Sequence, residues 1–323
     1  MLAIRFEQTG GPEVLQAVEV PVPQPGPGEI LVRNQAVGLN FIDTYHRSGL
    51  YPVRLPSGLG MEGAGIVEAV GEGVSRFSVG DLAGYCSGPL GAYAQAHVVR
   101  EGRAVKLPAG IDARLAAAAL LKGMTAEILV RKVYPVKAGD WVLVHAAAGG
   151  VGSILAQWCR HLGARVIGTA GSEAKAELAR ANGCEVVILY DREDVAARVR
   201  ELTDGDGVRV VYDGVGKATF EGSLSSLGRR GMLVSYGNAS GPAPAVEPLR
   251  LSRGGSLFLT RPGLFDYTVT TPELDDSAAG LFEVLASGAV TVAIGAEFPL
   301  AEARAAHEAL EGRETTGSTL LIP

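Results

Sequence analysis

The chain has 323 residues, 47% of them apolar and 20% charged, ordinary proportions for a folded globular protein that argue against wholesale disorder. At about 100–200 residues per domain this length suggests two domains. The net charge of −6 gives no support to a nucleic-acid or anionic-membrane surface, so any phosphate must be met by a local basic pocket.

The N-terminus, "MLAIRFEQTGG", lacks the basic segment and apolar run of a secretory signal. No stretch approaches the ~20 apolar residues of a membrane span. Cys86, Cys159 and Cys184 are odd in number and widely spaced, which argues against a disulfide framework or a clustered zinc site. A reducing, cytoplasmic setting is expected.

Residues 1 to about 120 read as an irregular, strand-rich region with a few helices. "PVPQPGPGE" is a proline-rich turn that fits neither helix nor central strand. "ILVRNQAVGLN" and "GAGIVEAVGEGV" are strand-like, the second broken by glycines. From about Trp141 the pattern changes. "WVLVHAA" is a compact apolar run, as a strand buried on both faces requires. "VGSILAQWCRHLGA" follows with helical spacing. Strands are then expected at "RVIGTA", "EVVILY", "VRVVYDGVG", "MLVSYG" and "SLFLTR", and helices at "SEAKAELARANG", "REDVAARVRELTDG" and "ATFEGSLSSLGRRG". Such alternation means βαβ crossovers and a doubly wound parallel sheet. "TPELDDSAAGLFEVLASGAV" reads as an amphipathic helix and "STLLI" as a last strand, in a tail that returns to the first domain. The expected domains are 123–260 for the parallel sheet, and 1–122 with 261–323 for a discontinuous β-rich body.

"AAGGVG", Ala147 to Gly152, stands between the first buried strand and its helix. Against G-x-G-x-x-G, Ala147 replaces the first glycine, while Gly149 and Gly152 fit. The motif serves a tight turn, close approach to a pyrophosphate and close packing of helix on sheet. The helix N-terminus adds free N–H groups and partial positive charge. About 20 residues further on, a ribose-binding acid is expected at the tip of the second strand. Here the tip reads Ala170-Gly171-Ser172, and Lys175 follows in the first turn of the next helix. No carboxylate at that tip repels a 2′-phosphate, and a lysine there attracts one, so NADPH is expected over NADH. The plainer alternatives stand beside this: Ser172 as an N-cap and Lys175 as a solvated helix residue.

The segments "GLNFIDTYHRSGLYP", "LPSGLGMEGAGIVEAVGEGVSRFSVGDLAGY", "LLKGMTA", "VLVHAAAGGVG", "VVYDGVG" and "GSLFLTRP" resemble the zinc-independent branch of the medium-chain dehydrogenases/reductases, and within it the ζ-crystallin type of NADPH:quinone oxidoreductase. The resemblance covers essentially the whole chain. It implies a GroES-like catalytic domain, a Rossmann NADPH-binding domain, a nicotinamide in the cleft between them, and a cytoplasmic homodimer or tetramer. It also implies roles. Asn40 and Tyr45 would line the nicotinamide and acceptor pocket, and Thr125 would contact the cofactor. Gly149, Gly150 and Val151 would cradle the pyrophosphate. Gly171, Ser172, Lys175 and Tyr190 would hold the adenosine phosphate end. Ser235, Tyr236, Gly237, Leu259 and Arg261 would approach the nicotinamide, and Arg313 would add charge to the phosphates. From the residues alone, Asn40 reads equally as a turn cap, Tyr45 as core-edge packing and Leu259 as an ordinary strand residue.

Zinc-dependent relatives place a Cys near position 40 and a His in "GHE". This chain has Asn40 and "GMEGAG", and Met is a poor zinc ligand. The histidines His46, His97, His145, His161 and His307 show no ligand spacing and read as surface or packed residues. His46, beside Tyr45, and Arg192 remain open as contributors. Without a metal, hydride or electron transfer from the nicotinamide suits an acceptor that delocalises its own charge, as a quinone does, with one or two electrons moved per step. Asn40, Tyr45 and Arg261 are the groups expected to orient its carbonyl. An NADPH-dependent enone or alkenal reductase is the nearest alternative. A non-catalytic NADPH-binding or RNA-binding protein is the alternative of another class; the net charge disfavours RNA.

Overall fold

The computed structural model describes residues 1–323, and the chain divides into two units. The first contains Met1–Met124, Thr268–Ala286 and Val292–Pro323; the second contains Thr125–Tyr267 and Ser287–Thr291.

The first unit opens with β1 (Leu2–Phe6), β2 (Gln16–Glu19), β3 (Glu29–Leu39), helix α1 (Phe41–Ser48), β4 (Ser57–Gly58), β5 (Glu62–Val70), β6 (Leu82–Tyr85), β7 (Ala96–Arg100) and β8 (Ala104–Lys106). Helix α2 (Ala113–Ile128) carries the chain across the division. β3 carries one extra residue between Asn34 and Ala36 relative to β5, which switches its side-chain alternation, so that Ile30 and Val32 before the shift and Val37 and Leu39 after it join Phe6, Leu59, Val67 and Tyr93 in one core. It pairs antiparallel with β5 from Ile30↔Val70 to Gly38↔Glu62. That register sets Glu62 beside the end of β3 where α1 begins.

The second unit alternates as the sequence predicts. Its elements are β9 (Trp141–Val144), α3 (Gly150–His161), β10 (Arg165–Ala170), α4 (Glu173–Ala181), β11 (Val186–Leu189), α5 (Val195–Leu202), β12 (Val208–Asp213), α6 (Phe220–Ser226), β13 (Leu227–Ser235), α7 (Pro248–Arg253) and β14 (Phe258–Thr260). All pairings are parallel, in the order β11-β10-β9-β12-β13-β14. The order reverses between β9 and β12, and ligands of such sheets sit outside the carboxyl ends of the strands at that reversal. Leu143, Ile167, Ile188, Val211, Phe220 and Leu233 form the core. The GroES-like and Rossmann fold class read from the sequence is the one observed.

The tail runs through α8 (Thr271–Ala286), β15 (Ile294–Pro299), α9 (Ala303–Glu311) and β16 (Ser318–Ile322). β16 pairs antiparallel with β3, Leu321↔Val37 to Thr319↔Leu39, and so completes the first unit's seven-stranded sheet.

Three details depart from the sequence reading. The helix expected through "GRRG" stops at Ser226, and Leu227 begins a strand instead. Arg230 sits at φ 60, which a helix cannot contain, and the β12–β13 register shifts between Val208 and Val210. Residues 261–267 side with the parallel sheet rather than with the tail, since Arg261 donates to the Ser235 and Gly237 carbonyls at 2.7 and 3.1 Å. Residues 287–291 do so too, tied by Gln157, whose amide bonds the Thr291 carbonyl at 3.0 Å and N–H at 2.8 Å.

Candidate functional site

The second unit presents a turn built for close approach. After β9 the backbone reverses at Ala146, which sits at φ 51. Gly149 N–H donates to the Ala146 carbonyl at 2.8 Å, and Gly149 caps α3 with an extended backbone. A Cβ on Gly152 would lie 2.3 Å from the Ala146 oxygen, so only glycine lets α3 start against this turn. The first N–H groups of α3, including those of Gly150 and Val151, face no helical carbonyl. An anion meets free donors and the positive end of the helix dipole there. This is how the residues present fit a dinucleotide diphosphate.

At the tip of β10, a Cβ on Gly171 would fall 2.3 Å from the Tyr190 hydroxyl, so Tyr190 closes over the glycine with its ring half exposed. Ser172 does cap α4, accepting from Lys175 N–H at 3.4 Å. Lys175 is half-buried on the same first turn. The tip itself, Ala170-Gly171-Ser172, carries no carboxylate; Glu173, the next residue, pairs with Arg180 at 3.0 Å. Arg192 is exposed, 3.9 Å from Asp191. Gly171, Ser172, Lys175 and Tyr190 are thus together.

At the ends of β13 and β14 a second group forms. Tyr236 N–H donates to the Asp213 carbonyl at 2.8 Å. A Cβ on Gly237 would meet the Gly214 oxygen at 2.2 Å, so the Ser235–Gly237 segment lies flat on the turn after β12. Arg261 braces this segment. Besides its two carbonyl bonds, it reaches the Asn238 amide oxygen at 3.0 Å when that amide is turned to face it. Its visible task is to hold the loop. Leu259 pairs with Leu233 and packs on the core. Thr125 is half-buried at the start of the unit.

In the first unit, Asn40 precedes α1 and is 6% exposed. Its amide Nδ2 donates to Glu62 Oε2 at 2.8 Å and to the Gly38 carbonyl at 3.4 Å. Glu62 is fully buried and also accepts from Leu121 N–H at 2.7 Å, with Lys122 Nζ 3.6 Å away. Burial pushes its carboxyl up, against the pull of the Lys122 ammonium. Asp43, one turn into α1, accepts from Asn40 N–H and the Tyr93 hydroxyl, both at 2.9 Å, while its Oδ1 has no partner. Burial lifts this carboxyl to about 7. Tyr93 continues to His307 at 3.1 Å, and His307 to Arg47 at 2.9 Å. Tyr45 is buried, edge-on to Tyr51 at 5.3 Å, and half-buried His46 meets the same ring at 5.8 Å. Arg313 is exposed just beyond α9, at φ 60.

Glu62, Lys122 and Asp43 are not among the site residues that the sequence patterns single out. A lysine inside the apolar run "AAAALLKGM" was the available signal, since a buried charge demands a counter-charge. The donor set does not fit zinc: Asn40 and Met61 supply no Cys or His, Asn40 already donates to Glu62, and no three His, Cys, Asp or Glu side chains are grouped to hold a metal. All three cysteines are free and buried.

The alcohol dehydrogenase GroES-like domain family matches residues 26–109, and the zinc-binding dehydrogenase family matches residues 150–260. A quinone oxidoreductase of Pseudomonas aeruginosa is 53% identical over 99% of both chains. A solved structure of Escherichia coli quinone oxidoreductase complexed with NADPH is 49% identical, covers all of both chains and superposes with a TM-score of 0.98. A 2-haloacrylate reductase of a Burkholderia species is 44% identical over 100% of this chain and 99% of its own.

Proposed function

The chain belongs to the quinone oxidoreductase family of the medium-chain dehydrogenases/reductases, and from that premise we propose that it reduces quinones with NADPH. The observation that carries the cofactor is the turn at Ala146–Gly152 followed by an acid-free β10 tip with Lys175 beside it. When bound, NADPH supplies the hydride, and a solvent proton completes the hydroquinone. The protein's part is to bind and orient. Gly149, Gly150 and Val151 offer N–H groups to the diphosphate. Gly171, Ser172, Lys175 and Tyr190 take the adenosine 2′-phosphate, where one charge-assisted bond contributes about 1.5–3 kcal/mol. Ser235, Tyr236, Gly237 and Leu259 present backbone and side chain to the nicotinamide, on a loop Arg261 holds in place. Asn40 and Tyr45 orient the acceptor, Asn40 through an amide fixed by Glu62. Thr125 and Arg313 add cofactor contacts.

We propose that no zinc takes part, because positions 40 and 61 carry Asn and Met and the Asn amide is already engaged. A cytoplasmic homodimer is the proposed state. The family resemblance supports the dimer, as does the open edge of β14, where Phe258 is 54% exposed. Three buried free thiols support a reducing compartment. No helix is long and apolar enough to cross a membrane. A quinone is the proposed partner molecule, and the net charge of −6 counts against nucleic acid.

A second reading, reduction of activated alkenes, is favoured by the relative named for 2-haloacrylate. Steady-state assays with a benzoquinone, an aliphatic enone and a haloacrylate, each with NADPH and NADH, separate the two. Turnover of the quinone with NADPH is expected; turnover of alkenes alone overturns the quinone assignment.

A further inference from the structure

The proposed function leaves unused a run of buried polar side chains across the carboxyl ends of β9, β10 and β12. Ala146 N–H donates to Thr169 Oγ1 at 3.3 Å. Thr169 Oγ1 lies 3.1 Å from His145 Nδ1, and His145 Nε2 lies 3.0 Å from Ser223 Oγ. Ser223 donates to Asp213 Oδ2 at 2.7 Å. His145 is 2% exposed, Thr169 1%, and Ser223 and Asp213 are fully buried.

One assignment of protons satisfies every member. The Ser223 hydroxyl hydrogen goes to the Asp213 carboxylate, so its oxygen must accept from His145 Nε2–H. A neutral imidazole then has a bare Nδ1, which takes the Thr169 hydroxyl hydrogen. That leaves the Thr169 oxygen free to accept Ala146 N–H. Burial lowers the imidazole's proton affinity and favours this neutral form. The run is therefore directed from the turn to Asp213. Asp213 Oδ1 in addition accepts from Val215 and Gly216 N–H at 2.9 and 3.0 Å, and its carbonyl from Tyr236 N–H.

The location gives the run its meaning. β9 and β12 are the two strands where the sheet order reverses. The His145 side chain, just past β9, bonds Thr169 on β10 and Ser223 of α6, and reaches Asp213 at the end of β12 only through Ser223, while Thr169 reaches back to the residue that turns the backbone. Ala146 holds a left-handed φ without being glycine, a conformation that surrounding bonds must enforce.

We propose that His145, oriented by Thr169 and Ser223, is a positioning residue for the diphosphate-binding turn. The inference rests on the dinucleotide reading above. It assigns the run to the part of the cofactor that NADPH and NADH share, whereas Lys175 acts on the 2′-phosphate alone.

The test is fluorescence titration of the full chain with NADPH and with NADH, together with quinone reduction at saturating NADPH. Thr169→Val keeps the shape and removes the hydroxyl. It is expected to raise Kd for both dinucleotides by the same factor, about tenfold, with kcat unchanged, and Thr169→Ser is expected to restore the wild-type value. A Thr169→Val chain with unmoved Kd, or a Thr169→Ser chain as impaired as Thr169→Val, overturns the inference. Should Thr169→Val not fold, Ser223→Ala strands His145 Nε2–H and is expected to give the same equal losses; a wild-type Kd there overturns the inference as well. A wild-type chain that binds neither dinucleotide overturns the functional reading and this inference with it. Wild-type binding with an unmoved variant overturns this inference alone.

Discussion

Gly152→Ala is the most direct probe of the turn. The added methyl would stand 2.3 Å from the Ala146 oxygen, 2.9 Å from its carbonyl carbon and 3.1 Å from Ala147 Cα, all backbone atoms. That is roughly 1 Å inside ordinary contact, and no side chain can swing aside to relieve it. The first turn of α3 must withdraw by about that distance, taking its N–H groups along. A hydrogen bond lengthened by ~1 Å is no longer one, and each such bond to a charged group contributes about 1.5–3 kcal/mol. Losing one weakens NADPH by roughly one to two decades. Stability changes less. Overpacking costs about 1–3 kcal/mol, and alanine in a helix returns up to ~1 kcal/mol relative to glycine. Titration of NADPH fluorescence, beside urea unfolding, separates the two effects. A folded Gly152→Ala chain that binds NADPH within about twofold of wild type refutes the assignment of this turn to the diphosphate.

Lys175→Ala is expected to weaken NADPH by about tenfold or more and to spare NADH; equal losses in parallel titrations count against a 2′-phosphate role. Lys122→Met removes the counter-charge of a fully buried carboxylate. Urea unfolding should show a loss of about 3–5 kcal/mol, largely recovered by the further change Glu62→Gln; a loss under ~1 kcal/mol would mean that Glu62 is protonated. Asp43 supplies a pH signature. Its carboxyl is raised from the ordinary 3.8 to about 7, so between those values the folded chain keeps a proton that the unfolded chain has lost. The stability it contributes is complete below the lower value and lost as pH rises through the upper, by about 4 kcal/mol in all. Asp43→Asn stays neutral, so its stability relative to wild type should grow between about pH 4 and pH 7. Parallel unfolding curves for the two chains across that range would show that Asp43 ionises normally.

The turn and the βαβ alternation were legible because their signals are local. "AAGGVG" after "WVLVHAA" states a tight turn within a dozen residues, and helical or two-residue periodicity needs only one element. The missing acid at Ala170-Gly171-Ser172 was legible for the same reason. "LGRRG" reads as the end of the preceding helix because one apolar side chain in five residues shows no strand alternation, and only pairing of Leu227 with Val208 on β12 settles it. Arg261 reads from the sequence as a charge facing an acceptor; that its Nη1 also braces the carbonyls of Ser235 and Gly237 is visible only in the folded chain.

The sequence by itself determined the doubly wound class of the second unit, the position of the glycine turn and the charge character of the β10 tip, each set by short-range pattern. Tertiary structure alone decided which polar groups meet. Glu62 finds Asn40, Leu121 and Lys122, and His145 finds Thr169 and Ser223, across separations that no periodicity spans. The reason is physical: a buried polar side chain must find its partner wherever the sheet order and strand register put one, and those are properties of the assembled chain.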